Sequence, residues 1–273
     1  MLRLWPERLS VGLAPDFVEY ALTSRRGRRV VVSKDGAVPV TDLGAERWRG
    51  ALLTLAKVVK ANAIKNANCT VLLSGHFVRC ELLAWSDHLK SVKEYQALAH
   101  AKFRAVHGAA ADAWDIRLGT LSFRQPVLAF AVDKVLVREV ESLLSGAGIV
   151  LSSVQPHFCA VFDHHRGKIN SGVAWFGLLE PGRLWLGCLV NGTWRHASCR
   201  VIGNDPSREM LSVFAQERAL FPEDVGAGMG NVHAVVTGFS REVVHALRAA
   251  GVSILSSTFP QRFEFRVGNR EVA

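Results

Sequence analysis

The chain lacks any uninterrupted apolar run of the length a bilayer requires, about 18 residues or more. Its best stretch, "VAWFGLLEPGRLWLGCLV", is broken by Glu180, Pro181 and Arg183. The start, "MLRLWPERLS", carries basic residues but no apolar h-region, so a secretory signal is not expected. No Cys-x-x-Cys occurs. The five cysteines, at 69, 80, 159, 188 and 199, are odd in number and sit among apolar neighbours, which predicts buried, reduced thiols in a reducing compartment. A Gly-x-Ser-x-Gly elbow is absent, and the Ser, His and Asp residues give no grounds for a triad. At 21% charged residues, disorder by composition is not expected either.

What is present is ample core material: 49% of 273 residues are apolar, enough for one large domain or two lobes. Net charge is +9, an electrostatic bias toward nucleic acid, anionic lipid or an acidic partner. Most basic residues are scattered. The one dense cluster is Arg25, Arg26, Arg28 and Arg29 around Gly27. As a solvated turn these residues keep a strand edge from aggregating; as a functional cluster they suit anionic headgroups or an acidic partner. Nucleic acid is not the expected partner, because RNA recognition wants aromatics interleaved with the basic residues and this cluster has none.

Apolar alternation predicts strands at 9–13, 17–23 and 30–32, an antiparallel meander with "RRGRR" as its second turn. Thr41 or Asp42 can cap the following helix, whose Trp48, Leu52, Leu55 and Val59 recur at helical spacing, and "CTVLLSG" reads as a buried strand. "FVRCELLAW" is a further strand. The next helix places Leu89, Val92, Tyr95, Ala99, Phe103 and Val106 on one face and stops at Gly108. "WDIRLGTLSF" and "PVLAFAV" read as strands, Asp133 caps a helix that ends near Gly146 or Gly148, and "IVLSSV" leads to a short helix beginning at Pro156. After "RGKINSG" the opening pattern returns: three strands with a tight Asn191-Gly192 hairpin, a helix capped by Asp205 with Pro206 at its first position, the strand "NVHAVVTG", a helix capped by Ser240, and "VSILSS". Three strands, helix, strand, helix occurs twice, near 9–107 and 172–258. Duplicated ribonuclease-H-like units with an inserted element describe an α/β protein of mixed sheets with the actin-like fold. The expected organisation is a first lobe of 1–75 and 108–125, an inserted small α+β lobe of 76–160, and a second lobe of 161–273.

A ribonuclease-H-type nuclease needs carboxylates converging on two metal ions, the first from the first strand. "LSVGL" has none, and Asp16 reads as a turn residue. An actin-like ATPase needs two glycine-rich hairpins whose N–H groups cradle phosphates and acids that hold Mg²⁺. The first hairpin, "GLAPDF", offers a proline. The second, "WFGLLEPGRL", puts Trp175 and Phe176 where an acid is wanted and keeps Gly177. "GAGMG" at 226–230 leaves a helix and enters a strand, the reverse of a dinucleotide fingerprint, and reads as a connector. His157, Cys159, His164 and His165 lack the paired spacing of a structural zinc site and read as a polar helix end. No metal and no cofactor is expected.

"LSVGLAPDFVEYALTSRRGRRVV", "VLLSGHFVRCELLAW" and "LAFAVDKVLVREVESLLSGAGIVLSSVQPHFCAVF" resemble the actin-like assembly family of type IV pili and type II secretion, which includes PilM, HofM and the cytoplasmic domain of GspL. "GVAWFGLLEPGRLWLGCLVNGTWRHASCRVI" is similar to the family's second phosphate hairpin, and "HAVVTGFSREVVHALRAAGVSIL" to its adenosine side. An ATP-binding member would carry Asp near 12, Gly near 14, Asp near 175 and a glycine pair near 238, where this chain has Gly12, Ala14, Trp175 and Gly238-Phe239. The resemblance therefore implies a degenerate pseudo-ATPase: a non-catalytic cytoplasmic scaffold, peripheral to the bacterial inner membrane. Its implied partners are the short cytoplasmic tail of a bitopic membrane protein and the assembly ATPase, with anionic lipid as a further contact. The alternative is an ATP-binding member of the actin-like ATPase superfamily. For the partner surface the expectation is Phe77, Leu83, Trp85 and Tyr95, aromatic and apolar anchors beside the inserted lobe.

Overall fold

Leu9, Val11 and Leu13 alternate along strand β1 (Glu7–Leu13) and bury one of its sides completely. In the computed structural model, which describes residues 7–26, 29–42, 46–169, 172–220 and 231–256, β1 is the centre of a five-stranded sheet. It pairs antiparallel with β2 (Phe17–Arg26), which pairs antiparallel with β3 (Arg29–Pro39). On its other side it pairs parallel with β4 (Ala67–Leu73), and β4 with β8 (Val150–Pro156), giving the order β3-β2-β1-β4-β8.

Helix α1 (Arg47–Ala61) packs on β1 and β2 through the expected Trp48, Leu52, Leu55 and Val59. Its start differs from expectation. Glu46 is the N-cap residue, without a side-chain cap, and neither Thr41 nor Asp42 serves. The segment before the helix runs back across it instead: a Cβ on Gly50 would stand 1.8 Å from the Asp42 carbonyl oxygen. α3 (Lys134–Gly146) packs beside α1 and buries Leu136, Val140 and Leu144; Asp133 accepts from the Val135 N–H at 2.7 Å as an N-cap.

A second five-stranded sheet repeats the first. β9 (Val173–Glu180), β10 (Arg183–Val190) and β11 (Thr193–Val201) are antiparallel; β12 (Asn231–Val236) and β13 (Ser253–Leu255) add parallel strands in the order β11-β10-β9-β12-β13. Asn191 and Gly192 both have positive φ, 50° and 76°, the backbone of a type I′ turn. α5 (Pro206–Ala219), capped by Asp205, and α6 (Arg241–Ala249) cover a core that includes Trp175, Leu179, Leu184, Met210, Phe214 and Leu247. Ser240 precedes α6 but makes no side-chain cap.

A three-stranded sheet, β5 (Val78–Leu83), β6 (Trp114–Leu118) and β7 (Val127–Asp133) in the order β5-β7-β6, carries α2 (Val92–His107). Tyr95, Ala99 and Phe103 pack on Leu83, Val127, Ala129 and Ala131. Val92 and Val106, expected on the same face, are exposed, so the buried stripe is shorter than its sequence pattern. Ser91 and Glu94 form a capping box, and Gly108 ends the helix at φ 65°. α4 (His157–Ile169) follows β8, so Pro156 ends a strand where the sequence suggested a first helical turn.

Contacts divide the chain into two units, Met1–Val78 with Val132–Ala160, and Arg79–Ala131 with Val161–Ala273. The strands distribute differently from the expected lobes. β8, read within an inserted lobe of 76–160, extends the first sheet because α3 returns the chain parallel to β4. β6, read with the first lobe as part of 108–125, belongs to the small sheet. Among the described residues no helix is long and apolar enough to cross a membrane.

Gly50 and Gly146 make a contrasting pair. Gly50→Ala forces a Cβ into backbone and should lower stability by about 1–3 kcal/mol. Gly146→Ala meets nothing within 4 Å and should be neutral, or stabilising by about 0.4–1 kcal/mol. Thermal melts of the two variants check the path of residues 40–42 over α1.

Candidate functional site

The two sheets can be superposed by one hydrogen bond. The N–H of Ser74, just after β4, donates to the Leu13 carbonyl at 2.9 Å; the N–H of Thr237, just after β12, donates to the Leu179 carbonyl at 2.9 Å. Leu13 therefore corresponds to Leu179, Gly12 to Leu178, Ala14 to Glu180, and Gly75 to Gly238. The strand-end sequences "LLSG" and "VVTG" share this place.

At the first hairpin, the Ala14 N–H is already bonded to the Phe17 carbonyl at 3.1 Å, and Pro15 has no N–H to offer. A Cβ at Gly12 would lie 3.7 Å from the Glu19 Cβ, an ordinary contact, so no crowding excludes a side chain there. Position 12 itself is simply without an acid.

At the second hairpin the correspondence corrects the sequence reading. The position equivalent to Gly12 is Leu178, not Trp175, and it is fully buried. β9 continues through Glu180, which leaves Trp175 in mid-strand. Its ring meets Phe214 of α5 edge-on at 5.2 Å, and Phe176 meets Phe162 of α4 at 5.6 Å. Both are core residues and line no phosphate hairpin. Gly177 is likewise a packing position: a Cβ there would lie 3.0 Å from the Met210 Cε. Gly238 has φ 75°, and a Cβ on it would stand 2.8 Å from the Pro181 Cγ, so the tip of the hairpin covers this glycine.

Glu19 is the residue that sequence reasoning missed. It is the register partner of Gly12 on β2 and 4% exposed, and its Oε2 finds no hydrogen-bond partner among the described residues. Burial pushes its carboxyl up to about 8. Alternation in "FVEYAL" separates Glu19 from Val18 and Tyr20 but says nothing of what covers its face. A second buried acid, Glu217 of α5, is paired with a cation through Oε1. It accepts from Arg200 Nε at 3.0 Å and Nη2 at 2.7 Å and from Ser198 Oγ at 3.2 Å, with His196 Nε2 at 2.9 Å. Arg200, Ser198 and His196 all lie on β11, so this cluster ties an edge strand to its covering helix.

The histidine group does not converge. His165 Nε2 lies 2.7 Å from the Ser256 carbonyl and stacks edge-on with His164 at 4.8 Å. Among the described residues no three His, Cys, Asp or Glu side chains could hold a metal ion. None of the five cysteines is in a disulfide; burial pushes the Cys69 and Cys199 thiols up to about 12, away from nucleophilic chemistry. "GAGMG" and Arg28 lie outside the described residues; Arg25 and Arg26 end β2, and Arg29 begins β3.

Of the four expected partner anchors, Phe77, Leu83 and Tyr95 are buried. They serve the core, because the same side chains that suit an exposed anchor also suit a helix-on-sheet interface. Trp85 remains half-buried, with its Nε1 donating to Asp87 Oδ1 at 3.1 Å. It packs edge-on against Phe123 at 5.3 Å, and Phe123 is 73% exposed. Arg124, at φ 57°, lies over the Phe123 ring at 5.2 Å. An aromatic in the polar turn "LSFRQP" was the available signal for this surface pair.

The Glu19 carboxyl generates a pH prediction. Its folded-state value, about 8, lies above the ordinary 4.5. The stability it contributes is complete below the ordinary value and is lost as pH rises through the folded one, at about 1.4 kcal/mol per pH unit between the two. Glu19→Gln should therefore gain on the wild type as pH rises from 5 to 8 and hold its advantage above that. Urea melts across this range check it; a pH-independent difference contradicts the burial argument.

No protein-family model matches this sequence, and no curated protein matches it. Solved structures do. The chain superposes on a Bacteroides thetaiotaomicron protein of actin-like ATPase fold and unknown function with TM-score 0.61 and 11% identity, over 92% of this chain and 91% of that one. It superposes on the PilM-PilN type IV pilus biogenesis complex with TM-score 0.63 and 10% identity, over 92% and 88%. With the cytoplasmic domain of EpsL, an inner-membrane component of the Vibrio cholerae type II secretion system, the TM-score is 0.55 at 10% identity, over 96% and 90%. The duplicated sheets, their identical strand order and these superpositions lead to one conclusion: the chain has the actin-like fold, a mixed α/β architecture of two ribonuclease-H-like sheets with an added small sheet.

Proposed function

We propose that this protein is a non-catalytic, degenerate actin-like scaffold of a type IV pilus or type II secretion machine. It works in the cytoplasm at the inner membrane and docks the cytoplasmic tail of a bitopic membrane partner, the assembly ATPase, or both. One observation carries the non-catalytic part: the two symmetry-related positions at the ends of the phosphate hairpins are Gly12 and Leu178, neither of which can ligate a metal. Glu19, beside Gly12, adds to this reading. Burial keeps its carboxyl largely protonated near pH 7, a form that does not ligate a metal ion. The scaffold part is supported by likeness of fold to PilM, solved with PilN, and to EpsL.

The alternative, an ATP-binding member of the superfamily, is favoured by Ser74-Gly75 and Thr237-Gly238, which keep a glycine after the parallel strand in both repeats. The Thr237 N–H and Oγ1 both bond the Leu179 carbonyl, however, and Gly238 is covered by Pro181. This strand end is engaged by its own hairpin.

For the partner tail, the proposed face is the Trp85–Phe123 pair beside α2: Trp85 is the one expected anchor left partly exposed, and Phe123 is its exposed neighbour. Phe123→Ala and Trp85→Ala should each weaken capture of the cytoplasmic-tail peptide of a single-span membrane protein encoded beside this chain by about 1–4 kcal/mol, with little change in melting for Phe123. Tyr95→Ala, in the core, should instead cost about 3–5 kcal/mol of stability. Fluorescence titration and melting of the same three variants separate the roles. Undiminished capture by the folded Phe123 variant would remove this face from the proposal.

A further inference from the structure

Phe123 is the most exposed large apolar side chain of the described residues, at 73%, yet it is held in place. Trp85 meets its ring edge-on at 5.3 Å, and the Arg124 guanidinium lies over it at 5.2 Å. Trp85 is fixed in turn by its Nε1 bond to Asp87 Oδ1. An aromatic ordered in solvent has already lost the rotamer freedom that binding would otherwise cost.

The backbone under the ring is strained. Phe123 and Arg124 are the central residues of the β6–β7 turn, closed by the Gln125 N–H donating to the Ser122 carbonyl at 3.2 Å. Of the two, Arg124 alone has positive φ, 57°, the pattern of a type II turn, where that position favours glycine. The cation placed there makes no ion pair among the described residues. From Ile116 to Val132 the sequence has no acid, and the other cation of that stretch, Arg117, is paired with Asp115 at 3.1 Å. The tip thus presents an ordered apolar ring with an unpaired guanidinium stacked on it. A planar guanidinium can stack on a ring and still offer its N–H edge to a carboxylate, which an ammonium cannot do. We propose that Arg124 sets the specificity of this face by selecting a tail segment in which an acidic residue adjoins the apolar anchor that packs on Phe123 and Trp85. This rests on the scaffold reading with Trp85–Phe123 as the docking face.

The test titrates the full chain with the cytoplasmic-tail peptide of a single-span membrane protein encoded beside it. The peptide is used as it stands and with every Asp and Glu replaced by Asn and Gln, at low and high salt. The wild type should bind the native peptide about five-fold more tightly than the amide version at low salt, and the preference should fade at high salt. Arg124→Gly should lose that preference and melt at the wild-type temperature or higher, because glycine suits the positive φ. Arg124→Glu should prefer the amide version. Phe123→Ala separates the two claims. Binding by Phe123→Ala equal to wild type, or no binding of the native peptide by the wild type, removes the face and this role together. Weakened binding by Phe123→Ala, with Arg124→Gly and Arg124→Glu binding both peptides as the wild type does, keeps the face and overturns the role of Arg124. Capture at this face of a tail without any acid overturns it equally.

Discussion

The pairing of a parallel strand with the end of a hairpin organises both halves of this molecule. The Ser74 N–H reaches the Leu13 carbonyl, and the Thr237 N–H reaches the Leu179 carbonyl, at the same distance. Each bond is the last rung of a buried parallel ladder, β1 with β4 and β9 with β12. Where that rung falls decides which side chain stands at the mouth of each hairpin. In one repeat it is Gly12 and in the other Leu178, so the register that could have aimed two carboxylates aims none.

What occupies these positions is stabilising rather than reactive. The second sheet is closed by the Trp175–Phe214 contact, by Met210 over Gly177, and by Pro181 over Gly238. Its edge strand is held by Glu217, a buried acid that accepts from Ser198 and Arg200, where pairing offsets the cost of removing charge from water. Glu19 has no such compensation. One of its oxygens has no hydrogen-bond partner among the described residues and no cation stands beside it, and burial keeps it largely neutral near pH 7.

Local signals read well where backbone conformation allows few residues. Asn191-Gly192, Gly108, Asp133 and Asp205-Pro206 each occupy the turn or cap that their chemistry predicts. The repeat itself was legible as an order of elements. The position of the second hairpin was not, because β9 is buried on both sides and its apolar run "VAWFGLLE" carries no alternation to set its phase. Phe77, Leu83 and Tyr95 could not be told from surface anchors, since composition does not reveal what covers a side chain. Glu19 escaped for the converse reason: an acid in a strand reads as solvent-facing unless the packing above it is known. The start of α1 was missed because Asp42 runs beside Gly50 while Glu46 takes the N-cap position.

The central claim, that both hairpins have lost the means to hold a nucleotide with its metal, is tested most directly by melting the full chain with Mg-ATP and with Mg²⁺ alone. A ligand at a hundredfold excess over its dissociation constant adds about 2.7 kcal/mol of stability, a shift of several degrees that is easily read. The account predicts coincident curves at millimolar nucleotide. A clear upward shift with Mg-ATP, absent with Mg²⁺, would contradict it.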